Sequence, residues 1–138
     1  MTQVQNCVGI VCFKGNEVLL IKRGKPPRMG QWSIPGGRIE IGETEVIACV
    51  RELKEETGVT ATIMDKVETI ETDFGSGPYV LHDYLARWES GKAVGADDAE
   101  HAEFVPISEI GNYDMWSETV RVIEKAYRIF CDNPHFKI

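Results

Sequence analysis

One helix-period segment set among β-rich runs is what most restricts how this chain can fold. From Thr44 to Thr57 the residues recur at helical spacing, and Gly58 closes the segment. Before it, residues 4–13 and EVLLIKR (17–23) are β-branched and apolar, and the KGNE turn between them predicts a hairpin. After it, residues 59–72 and 78–88 read as two more strands joined through the glycine-containing FGSGP. FVPISEI reads as a short strand and turn leading into a second helix, with Trp116, Val120, Ile123, Tyr127 and Phe130 as its apolar stripe. The expected fold is α/β, a mixed and largely antiparallel sheet with a helix on each side, in a single domain spanning residues 1–138. GKPPRMGQWSIPGG (24–37) and SGKAVGADDAEHAE (90–103) are expected to be loops.

Composition narrows the function. A formal net charge of -7 argues against a general nucleic-acid or anionic-membrane binder, which needs a basic face. The N-terminal residues lack the charged and apolar regions of a signal peptide, and no run is long enough to span a bilayer. Cys7, Cys12, Cys49 and Cys131 form no CxxC pair. Free thiols in a reducing, cytoplasmic compartment are expected, not disulfides or a zinc site. The expected state is a monomer or a homodimer.

RELKEETG (51–58) concentrates the chemistry. At 100° per residue Glu55 falls about 60° to one side of Glu52 and Glu56 about 40° to the other, so three carboxylates share one face. Such pairs repel by a few tenths of a kcal/mol each, and the C-terminal half of a helix disfavours negative charge. Val46, Val50, Leu53 and Thr57 cluster opposite, with Ile47 nearby, and predict the packed face. Ala48 and Cys49 beside the acidic strip leave room for a ligand. A solvated acidic surface is the plain alternative. Carboxylates gathered on a rigid helix suit a hard divalent cation such as Mg²⁺ better.

GRIEIGETEVIACVRELKEETGV (37–59) resembles the Nudix box of Nudix hydrolases: G, five residues, E, seven residues, REUxEExGU, with U a bulky aliphatic. Gly37, Glu43, Arg51, Glu52, Leu53, Glu55, Glu56, Gly58 and Val59 fill every specified position. At average residue frequencies such a match arises by chance below about once in 10⁸ start positions. The resemblance implies an α/β/α sandwich and hydrolysis of a nucleoside diphosphate linked to another moiety. The implied cofactor is Mg²⁺, with Mn²⁺ as a substitute. The implied metal ligands are Glu52, Glu55, Glu56 and the Gly37 carbonyl. Arg51 would orient the carboxylates, with Glu43 as its structural partner. The upstream loop resembles ADP-ribose pyrophosphatase-like members, so ADP-ribose or a related nucleotide sugar is the first expected substrate. A modified nucleoside triphosphate is the alternative, and a non-catalytic nucleotide sensor the third reading.

Outside the box, Lys22, Arg23, Lys25, Arg28 and Arg38 lie in a stretch without an acid. Arg23, Arg28 and Arg38 are candidate phosphate contacts, and Trp32 either stacks on a base or packs in the core. ADDAEHAEF (96–104) resembles a family loop that supplies a further acid. The position expected for that acid holds His101, with Glu100 beside it. Either Glu100 or His101 is the general base, or the box acts alone. His82 and His135 are assigned no role.

Overall fold

The computed structural model describes residues 3–134; His135 lies outside them. β1 (Gln5–Lys14) and β2 (Glu17–Arg23) form the expected hairpin around Gly15. β1 has no polar side chain from Cys7 to Phe13, where both its faces are covered. Val8, Ile10 and Cys12 pack toward the first helix, Val11 and Phe13 toward the second. Two short strands, β3 (Trp32–Ser33) and β4 (Gly36–Arg38), occur within the segment expected to be loop. β4 lies antiparallel to the N-terminal half of β1, pairing Gly9 with Gly36 and Val8 with Gly37.

Helix α1 (Glu45–Thr57) begins where the Thr44 hydroxyl accepts the Ile47 N–H at 3.1 Å. It ends at Gly58, whose φ of 75° is the left-handed conformation that glycine adopts without strain. β5 (Thr60–Asp73) and β6 (Pro78–Ser90) form a long antiparallel pair, and β6 also runs parallel to β1. β7 (Ala99–Pro106) pairs with β2 and leads through a 3₁₀ turn (Ile107–Asn112) to α2 (Ser117–Asp132). Among the described residues seven strands form one mixed sheet with the path β3-β2-β1-β6-β5, β4 and β7 pairing off it. The two core clusters sit on its opposite faces, one under each helix, as expected.

Three local expectations are corrected. The packed face of α1 is not Val46, Ile47 and Val50, which are exposed; it is Ala48, Cys49, Leu53, Glu56 and Thr57. The small side chains at 48 and 49 let the helix backbone approach the sheet, so the arc carrying Glu52 and Glu56 turns inward. The segment 90–103 is not loop throughout, because the main chain from Ala99 onward finds its partner in β2, an interaction that local composition does not encode. Trp116 precedes α2 as its N-terminal cap residue, and Thr119, Val122 and Ala126 join Ile123 and Phe130 at the centre of the buried stripe.

Cys7, Cys12 and Cys49 are buried and all four cysteines are free. Burial pushes the Cys12 and Cys49 thiols up to about 12, which leaves them poor nucleophiles. Among the described residues no helix is long and apolar enough to cross a membrane.

Candidate active site

Arg51 holds the acidic face of α1 together. Its Nε and Nη2 donate to the two Glu43 carboxylate oxygens at 2.6 and 2.8 Å, a bidentate pair. Its Nη1 donates to Glu52 at 2.7 Å and to Glu55 at 3.2 Å, and its Nη2 also reaches the Arg38 carbonyl at 2.9 Å. One guanidinium therefore offsets the repulsion that the sequence pattern implies. The Arg51 contact pulls the Glu43 carboxyl down to about 2. With both Glu43 oxygens engaged, its role as a structural partner agrees with the geometry.

The remaining box residues close over β4. Glu56 is 4% exposed, and its Oε1 accepts the Gly36 N–H at 2.7 Å. Burial pushes its carboxyl up to about 8. Glu52 is also raised, again chiefly by burial, with Arg51 opposing. Its carboxylate lies over the Gly37 Cα, where any Cβ would collide with it, so the first box glycine is required by close approach. Glu55 is the most solvated of the three, its side chain 46% exposed. Among the described residues no three acidic, histidine or cysteine side chains stand in metal-ligating geometry. The carboxylates are instead held by Arg51 and by the β4 main chain.

A cavity of about 510 Å³ opens beside this face. Glu52, Glu56, Gly36, Gly37 and Arg38 line it. Arg23, Lys25 and Arg28 also line it, so four of the five basic residues of the acid-free stretch converge there; Lys22 does not. Arg23 is fixed by its Nε donating to the Pro27 carbonyl at 2.6 Å. The Arg28 guanidinium lies over the Trp116 and Phe74 rings at 5.0 and 5.8 Å. Trp32 lines the cavity while packing edge-on against Tyr113 at 5.0 Å and against the core cluster under α2.

Glu100 and His101 do not line the cavity. Both are exposed on β7, Glu100 4.0 Å from Lys22 and His101 edge-on to Trp32 at 5.7 Å. The acid that the loop brings to the cavity is Asp98. The turn places it there through Gly24 N–H bonding to the Asp98 carbonyl at 2.9 Å, and through Ala96 N–H bonding to the Glu56 carbonyl at 2.9 Å. Asp98 raises both Glu52 and Glu56 electrostatically and pairs with Lys25 at 2.8 Å.

An acid missing from the sequence reading is Asp83, a buried carboxyl on the cavity wall. The available signal was its place in the alternation of β6, at an inward position between Leu81 and Leu85.

The sequence profile of the NUDIX domain matches residues 4–126. The chain belongs to the Nudix hydrolase family. It is 37% identical over 131 residues to an 8-oxo-dGTP diphosphatase of Escherichia coli, covering 94% of this chain and 100% of that relative. It is 35% identical over 103 residues to an ADP-ribose pyrophosphatase of Methanocaldococcus jannaschii, covering 70% of this chain and 59% of that protein. The fold is shared with the NUDIX domain of Shewanella oneidensis NrtR solved with ADP ribose: TM-score 0.81, 20% identity, 94% of this chain and 90% of that one. The Nudix box therefore sits in a Nudix fold, with Glu52 and Glu56 turned toward the cavity.

Proposed function

We propose that this Nudix hydrolase cleaves a phosphoanhydride bond of a nucleoside triphosphate, releasing pyrophosphate and a nucleoside monophosphate. The observation that carries this reading is the shape of the cavity. It joins Glu52 and Glu56 of α1, with Arg23, Lys25 and Arg38, to the aromatic side chains Phe74, Tyr79 and Trp116, and Arg28 lies over the Phe74 and Trp116 rings. A polyphosphate matches the charged side chains and a flat base the aromatic ones. Identity spread along the whole of the 8-oxo-dGTP diphosphatase relative favours the triphosphate.

Glu52, Glu55 and Glu56 would hold Mg²⁺, or Mn²⁺ in its place, with the Gly37 carbonyl as a further oxygen donor. The donor set fits, since all are hard oxygens and the inward carboxylate of Glu56 is desolvated. Bound there, the ion would neutralise the pyrophosphate oxygens and acidify the attacking water. Arg51 orients Glu52 and Glu55 through its fork, and the Gly36 N–H orients Glu56. Arg23, Arg28 and Arg38 supply charge for the phosphates. Asp98, next to the glutamates and solvated, is the loop acid best placed to accept a proton. Residues 1–138 act as one Nudix domain, and the free thiols support a cytoplasmic setting.

ADP-ribose is the second reading, supported by the 35% identity to the ADP-ribose pyrophosphatase. A nucleotide panel with Mg²⁺ and with Mn²⁺ separates the two by product. A nucleoside monophosphate plus pyrophosphate supports the triphosphate, and AMP plus ribose 5-phosphate supports ADP-ribose. Turnover of neither overturns the hydrolase reading for this cavity.

A further inference from the structure

Asp83 stands where a core strand should carry an apolar side chain. It is 6% exposed and lines the same cavity as Glu52 and Glu56, and its carboxyl makes no hydrogen bond to any described residue. Buried polar groups are ordinarily partnered, and one left open toward a cavity is a group awaiting a partner. The fold makes room for it. Its neighbour across the parallel β1–β6 pair is Gly9, and a Cβ at that position would collide with Asp83 Oδ1. A glycine inside a central strand costs stability, so its use here has a steric reason.

The position also has the right reach. Gly36, Gly9 and Asp83 are register neighbours across β4, β1 and β6. The Gly36 N–H holds Glu56, and the main chains at Gly36 and Asp83 are two strand spacings apart, about 10 Å. The distance from the phosphates of a nucleotide to the far edge of its base is of the same order. The cavity that Asp83 lines is also lined by Ile34, Ile70, Phe74, Tyr79, Leu81 and Trp116, apolar and aromatic walls suited to a flat ring.

We propose that Asp83 reads the nucleobase, forming a two-point hydrogen bond with a purine edge that carries an exocyclic amino group beside a ring nitrogen. This deepens the nucleotide reading above and rests on it. Burial pushes the Asp83 carboxyl up to about 7, with Glu68 on β5 raising it and Arg121 on α2 and Lys66 on β5 lowering it. Both forms are therefore accessible near neutrality. The ionised form accepts two N–H bonds from a guanine-type edge; the protonated form donates one and accepts one, matching an adenine-type edge.

The test is calorimetric binding of GMP, AMP and purine riboside 5′-monophosphate, which has neither an amino group nor a ring N–H. Wild type, Asp83→Leu and Asp83→Asn are compared, with thermal unfolding to establish that each is folded. Wild type should bind GMP or AMP about 10- to 100-fold more tightly than the purine riboside nucleotide. Asp83→Leu should abolish that preference while leaving affinity for the purine riboside nucleotide within about threefold. Asp83→Asn retains one donor and one acceptor, so it should keep an AMP preference and lose a GMP preference, which identifies the pairing. Equal binding of all three nucleotides by wild type, or an equal loss for all three in both variants, overturns the proposal. Because binding is read without turnover, its failure is distinct from a failure of the hydrolase reading.

Discussion

Replacing Asp83 by Asn should stabilise the protein at pH 8 and leave it unchanged near pH 4. The carboxyl is raised from the ordinary 3.8 to about 7, with burial as the leading cause. A carboxyl raised in the folded state keeps a proton that the unfolded chain releases. The native state therefore loses stability as pH climbs from about 4 to about 7, and the full penalty persists above that. At about 1.36 kcal/mol per pH unit the interval corresponds to about 4 kcal/mol. Water entering from the cavity lowers this figure, so a gain of about 2–4 kcal/mol is expected for the variant at pH 8. Urea unfolding of the two metal-free proteins from pH 4 to 8.5 measures it. Glu52 and Glu56 are raised in both proteins and cancel in the difference. A difference that stays flat with pH, or a variant less stable than wild type at pH 8, refutes the reasoning.

Glu56→Gln keeps an oxygen for the Gly36 N–H but removes the charge, so turnover should fall by about 100-fold or more while the metal-free melting temperature is not lowered. The same variant should lose the rise in melting temperature that Mg²⁺ gives wild type, and near wild-type Mg²⁺-dependent turnover would sink the carboxylate assignment. Because Glu100 and His101 lie outside the cavity, Glu100→Gln and His101→Ala should leave the pH dependence of kcat/KM unchanged, whereas Asp98→Asn should alter it; the opposite pattern returns the base to β7. Gly9→Ala should destabilise by about 1–3 kcal/mol through close contacts with Asp83 Oδ1 and Ile34 Cδ1, and the Asp83 share of that cost should vanish in a Gly9→Ala, Asp83→Ala double variant. Strictly additive costs in urea unfolding would show that contact with Asp83 is not a cause.

What could be read from the sequence was whatever spacing along one element encodes. The hairpin, α1 and its cap residues, and the succession of strands follow from local patterns. So does the shared face of Glu52, Glu55 and Glu56, because a helix repeat fixes it without reference to anything else. The direction of that face did not follow. Taking Val46, Ile47 and Val50 as the docking surface equates apolar with buried, yet all three are exposed. The helix docks through its smallest residues because Glu52 must reach the Gly37 Cα. Ala48 and Cys49 on one element and Gly37 on another thus satisfy a single requirement of close approach, which no periodicity within either can express. The first half of the strand Ala99–Pro106, residues 99–103, was hidden for a related reason, whereas FVP was legible as a short strand. The short and charged residues of that first half carry little strand preference, and β2 supplies the pairing.

Asp83 shows the same limit at its sharpest. In YVLHDYL a carboxylate at an inward position is visible, and in CVGIVCF a glycine within a strand is visible. Each alone has an ordinary explanation, a bulge or a strand edge. Only the parallel register of β1 and β6, which sets Gly9 beside Asp83, joins the two into one device. A parallel pairing between distant segments leaves no turn in the sequence to announce it. The side chain proposed to read the base is therefore among the last to become legible, although the residue and the glycine that accommodates it were in view from the start.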